Sequence, residues 1–173
     1  EQHPAKLRHG ADKAKFISSN DTNGFTFRGR FIDASQACGV GFEVTQKAHN
    51  ALRWLITRQA YRNGDQAIVA WAVSGKRIPD PFANSFDLFG IVSEEPEAKQ
   101  NHVDPSDAGQ AFSQRLAKKL AGYRVEIGSA KEVVVMGLDS ATPGRMAITY
   151  YRELDHSEFL NRIEAWHKEY AWY

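Results

Sequence analysis

Val133-Val134-Val135-Met136-Gly137-Leu138 and Met146-Ala147-Ile148-Thr149-Tyr150-Tyr151 are the two stretches that decide the fold class. Each is a short run rich in β-branched, aromatic and other apolar residues, and Asp139-Ser140-Ala141-Thr142-Pro143-Gly144 between them is a cluster of turn formers. Strands joined by so short a connection pair antiparallel, because a parallel return needs a crossover of about a dozen residues or more. Downstream, a helix is expected to start near Ser157 with Glu158 in its first turn, presenting Phe159, Leu160, Ile163, Trp166 and Tyr170 as one apolar stripe. Upstream, Ser106 or Asp107 caps a helix in which Phe112, Leu116 and Leu120 recur at i, i+4; Gly122 ends it, and Val125 to Ile127 reads as a short strand.

Further toward the N-terminus, Ala67-Ile68-Val69-Ala70-Trp71-Ala72-Val73 is apolar on both faces and reads as a central strand. Asn63-Gly64-Asp65 before it terminates a helix that Thr45 caps and that runs to about Tyr61. On that helix Ala48, Leu52, Leu55 and Ile56 share a face, Gln46, Asn50, Arg53 and Thr57 lie opposite, and Lys47, Trp54 and Arg58 form a flank. Phe16-Ile17-Ser18-Ser19 and Phe25-Thr26-Phe27-Arg28-Gly29-Arg30-Phe31 read as strands around the turn formers Asn20 to Gly24. The stretch 79–105 holds four of the six prolines and is expected to be a long mobile connection around one short helical turn at Phe86-Asp87-Leu88-Phe89. The expectation is an α+β fold, a mainly antiparallel sheet with about three principal helices, in a single domain or domain fragment spanning 1–173.

The net charge of +1 conceals an asymmetry: residues 1–62 carry ten Lys/Arg against five acids, whereas residues 80–107 carry seven acids against Lys99 alone. A basic third of a chain suits either polyanion contact or an ordinary charged surface. Alternation in the strand 25–31 puts Phe25, Phe27 and Phe31 on one face and Thr26, Arg28 and Arg30 on the other. Arg28 and Arg30 then project about 6.6 Å apart on one side, a spacing comparable to that of successive phosphates in an extended strand. Lys47, Arg53 and Arg58 extend the same character, with Asn20, Asn23 and Arg145 as further candidates.

Familiar chemistries find no foothold. His3, His9, His49, His102, His156 and His167 form no metal-ligand motif, and His49 and His167 read as helix-flank or interface residues. Ser74-Gly75-Lys76-Arg77 has Ala70 at the first Gly position of a P-loop and Arg77 where the hydroxyl belongs. Asp139 stands where a nucleophile elbow needs Ser. Glu94, Glu95 and Glu97 beside Pro96 read as a solvated loop, and lone Cys38 as inert. No metal or cofactor is implied, and no apolar run or leader pattern points to a membrane, so a cytoplasmic protein is expected. The start at Glu1-Gln2-His3-Pro4 is read as the start of a piece of a longer protein.

Lys15-Phe16-Ile17-Ser18-Ser19-Asn20, then Asn23 to Phe31, then Gln46-Lys47-Ala48-His49-Asn50-Ala51-Leu52-Arg53-Trp54-Leu55 resemble, in order and spacing, the large-subunit family of type I-C CRISPR Cascade complexes, the Dvulg subtype. Ile68 to Ala72, Gly137 to Arg145 and Trp166-His167 resemble later blocks, so nearly the whole chain is covered, as an internal fragment of a longer bacterial protein. The resemblance implies a subunit without catalytic activity, assembled with CRISPR RNA-containing Cascade subunits, that recognises the protospacer-adjacent motif and helps open target double-stranded DNA. It would present that DNA to a recruited helicase-nuclease in antiviral defence, with guide pairing supplying most sequence specificity. It assigns no role to Arg28 or Arg30 individually. Two rival readings are a subunit-assembly surface without DNA contact, and a metal-dependent nuclease using Asp139 or Glu94.

Overall fold

The computed structural model describes residues 6–16, 40–89, 105–127, 132–142 and 144–170. Their order is α1 (Phe42–Gln59), β1 (Tyr61–Asn63), β2 (Gln66–Ala72), α2 (Ser85–Phe89), α3 (Pro105–Ile127), β3 (Val133–Thr142), β4 (Arg145–Leu154) and α4 (His156–Tyr170). The strands form a four-stranded antiparallel sheet in the order β1-β2-β3-β4, and α1, α3 and α4 are the three long helices of an α+β arrangement. The expected strand at 25–31 and most of that at 16–19 lie outside the described residues.

Local chemistry accounts for each boundary. The pair β3–β4 is present, but Asp139 to Thr142 belong to β3 rather than to the connection, leaving a two-residue loop ending at Gly144. A Cβ at Gly137 would sit 3.1 Å from Tyr150 Cβ and 3.3 Å from Thr149 Oγ1, so a side chain there fits only if these β4 neighbours give slightly. Asn63-Gly64-Asp65 does not end α1 but turns the β1–β2 hairpin, with Tyr61 opposite Ile68, Arg62 opposite Ala67 and Asn63 opposite Gln66. Gly64 has φ +58, the positive value that tight hairpin loops require. The expected central strand is internal, and in β2 Ala67, Val69, Ala70 and Ala72 are buried.

Helix α1 has its N-cap at Gly41, four residues before the expected cap Thr45; Thr45 is buried inside it, its backbone N–H bonded to Gly41 O at 3.0 Å and its Oγ1 without a hydrogen-bond partner among the described residues. Helix α3 continues through Gly122 to Ile127, so no strand forms at Val125 to Ile127. A helical Gly costs about 1 kcal/mol relative to Ala, and complete burial of Leu116, Leu120 and Ile127 offsets it. Lys76 Nζ donates to Ile127 O at 3.2 Å, a cation on the carbonyl end of the helix.

Asp155 caps α4: Oδ1 accepts from the Ser157 hydroxyl at 2.6 Å and its N–H at 2.8 Å, bonds that hold the carboxyl below its ordinary range. The core stripe of α4 is Phe159, Leu160, Ile163 and His167, while Trp166 and Tyr170 are exposed, correcting the expected stripe by one helical position at its end.

Two compact units divide the chain, Glu1–Val69 with Val135–Tyr151, and Ala70–Val134 with Arg152–Tyr173. In the first, Arg8 and Asp12 form a buried ion pair (Nε–Oδ2 2.9 Å, Nη2–Oδ1 3.0 Å), and Arg8 Nη1 also donates to Asp65 O at 2.7 Å in the hairpin turn. In the second, α3 packs on α4, with Arg124 donating to Asn161 Oδ1 at 2.7 Å and Glu164 Oε2 at 3.3 Å. Of the stretch 79–105, Pro79 is buried and α2 forms at the expected turn, with Leu88 buried; residues 90–104 lie outside the described residues.

Candidate nucleic-acid interface

In the first unit, helical geometry puts Lys47, Trp54 and Arg58 on one stripe of α1, with Arg53 on a separate face, and all four are exposed. The Arg58 guanidinium lies 5.1 Å over the Trp54 ring, a cation–π contact that holds a flat cationic surface toward solvent. Lys47 is less available, its Nζ lying 2.6 Å from Glu43 Oε1 one turn earlier. Arg145 is exposed at the start of β4, where the backbone bridges to Lys15 through Lys15 N–Gly144 O at 3.0 Å and Met146 N–Lys15 O at 2.9 Å. Asn20, Asn23, Arg28 and Arg30 lie outside the described residues.

In the second unit a cationic groove forms that the sequence reading missed. Arg77, Arg115, Lys118, Lys119, Gly122, Tyr123 and Glu126 line an open trough of about 660 Å³. Its floor is one face of α3, because 115, 118, 119, 122, 123 and 126 recur at i, i+3, i+4 spacing. The adjoining face carries Leu116, Leu120 and Ile127 into the core. Arg77 arrives from the turn after β2, where Gly75 N bonds Ala72 O at 2.9 Å and Lys76 anchors on the end of α3. The signal for this face was in the sequence, as a basic i, i+3, i+4 triplet beside the Leu116–Leu120 stripe.

His167, expected as a helix-flank or interface residue, is 1% exposed, with Nδ1 3.0 Å from Ser85 Oγ of α2 and its ring edge-on to Trp166 at 4.9 Å. Burial pushes its pKa below the ordinary imidazole value. No group of His, Cys, Asp or Glu suited to holding a metal ion occurs among the described residues. Among them, too, no helix is long and apolar enough to cross a membrane.

Residues 1–173, the whole chain, match the family model described as CRISPR-associated protein (Cas_Csd1). The chain belongs to this family. The resemblance drawn from the sequence blocks therefore holds at the level of a CRISPR-associated Csd1 protein. No curated protein and no solved structure matches this Csd1-family chain.

Proposed function

We propose that this chain is a non-catalytic part of the large subunit of a type I-C CRISPR RNA-guided surveillance complex, contributing to target DNA binding, protospacer-adjacent motif recognition and complex assembly. The family match over the whole chain carries the reading. Its partners on this reading are the CRISPR RNA-containing subunits, target duplex and a recruited helicase-nuclease, in the bacterial cytoplasm. Exposed Arg53, and Arg58 stacked on Trp54, supply backbone contacts from α1, because a guanidinium fork suits phosphate oxygens. Lys47, Arg145, Arg28, Arg30, Asn20 and Asn23 complete the candidate set.

The test is target-duplex binding by the assembled complex. Replacing Arg53 and Arg58 by Ala is expected to weaken binding and flatten the salt dependence by about 0.9 unit of slope per lost phosphate contact. Unchanged affinity and slope would remove both from the site. A second reading, assembly without DNA contact, is favoured by exposed Val40, Phe42 and Val44 at the start of α1. On that reading the same substitutions leave DNA affinity intact, and changes at Phe42 and Val44 reduce recovery of the complex.

A further inference from the structure

Among the described residues of the second unit, some cations are paired with acids and others are not. Arg124 meets Asn161 and Glu164, Arg162 meets Glu158 at 2.6 Å, and Lys168 meets Glu164 at 2.8 Å. Hydrogen bonding from Lys168, with Arg124 alongside, holds the Glu164 carboxyl below its ordinary range. By contrast, Arg77, Arg115, Lys118 and Lys119 have no carboxylate partner among the described residues, yet they converge on one trough in which Glu126 is the one acid among the described lining residues. Gathering like charges without counterions costs free energy that an anionic ligand would recover.

The trough's shape narrows the ligand. Arg115 and Lys119 are four residues apart, about 6 Å along the helix axis, the scale of the repeat between phosphates of an extended strand. Tyr123 is half-buried at the same face, with Lys119 Nζ 5.9 Å from its ring centroid, so a π-surface stands beside the charges. A duplex is read by convex elements entering its grooves, whereas a concave trough combining cations with an aromatic ring suits one strand whose bases are free to stack. We propose that the α3 groove binds single-stranded nucleic acid, with neighbouring phosphates on Arg115 and Lys119, Lys118 and Arg77 adding charge beside them, and one base against Tyr123. The proposal rests on reading the chain as nucleic-acid-handling, but uses a surface and substitutions distinct from those on α1.

The experiment is fluorescence anisotropy of the full chain with labelled oligothymidylate and oligouridylate of about 20 nucleotides, a duplex of equal length, and polyglutamate as competitor. Single strands are expected to bind more tightly than duplex, and the better of the two assigns the groove to DNA or RNA. Replacing Arg115, Lys118 and Lys119 together by Ala should flatten the salt slope by about 2. Tyr123→Leu, which keeps apolar packing, should lower affinity about tenfold with the slope unchanged, while Tyr123→Phe retains it. Equal affinity for duplex, equal competition by polyglutamate, or an inert Tyr123→Leu overturns the proposal. So does a loss confined to Arg53→Ala/Arg58→Ala, which would leave the α1 reading standing.

Discussion

Arg8 and Arg115 present the same guanidinium in opposite settings. Arg8, 4% exposed, has its donors committed to Asp12 and to the carbonyl of Asp65, and Asp12 in turn accepts from Arg8 N at 3.1 Å and Ala14 N at 2.9 Å. Arg115 stands exposed in a trough with three other cations and no carboxylate partner among the described residues. A buried, fully bonded charge fixes chain geometry and is unavailable to a ligand. An exposed, unpaired one contributes little to folding and keeps its donors for a partner.

The sharpest way to break this contrast is Asp12→Ala. It strands Arg8 in the interior and is expected to cost about 3 to 5 kcal/mol in urea denaturation. A loss below about 1 kcal/mol would show that water reaches the pair. Burial by itself raises the Asp12 carboxyl, but the Arg8 side-chain bond, the Ala14 and Arg8 N–H donors and the Arg8 charge outweigh it and hold it at about 2. Because the folded value lies below the unfolded one near 4, this stabilisation is complete above about pH 4 and is lost as pH falls through 2, by about 2 kcal/mol. Asp12→Ala should abolish that limb.

A smaller effect is expected at the buried His167. Ser85→Ala removes the hydroxyl from Nδ1 and should cost about 1 to 2 kcal/mol. Burial lowers the folded pKa of His167 beneath the unfolded value of about 6.5, so its neutral form favours the fold above that pH. Stability should decline as pH drops below 6.5 toward the folded value, and a His167→Gln protein should lack that decline. Smallest of all, the Arg115, Lys118 and Lys119 triple Ala variant should keep its melting stability within about 0.5 kcal/mol, since Ala favours helix and no ion pair among the described residues is lost. A large loss would place those cations with Arg8 instead.

Elements with strong local signals were legible: the β3–β4 pair, the internal strand β2, the turn at α2 and the three long helices. Others were not, because their local signals pointed elsewhere. Tyr61–Asn63 is three exposed residues with no alternation, and pairing with Gln66–Ile68 alone makes it a strand. Gly122 and the β-branched Val125 argued for ending α3, and burial of Ile127 overrode them. The candidate site was legible as exposed cations on α1, which periodicity predicts. The basic triplet of α3 was present in the sequence, but its joining with Arg77 into a groove was hidden, because Arg77 lies 38 positions before Arg115.

By itself, then, the sequence determined the α+β class, the order of the long elements and the family, because apolar period, turn residues and motif blocks are local and survive without coordinates. Only the tertiary structure decided which charges are spent on each other. Pairing depends on which groups meet across the fold, so Arg8 reaches the backbone carbonyl of Asp65 and Arg124 closes on Glu164, while Arg77, Arg115, Lys118 and Lys119 are left facing one trough.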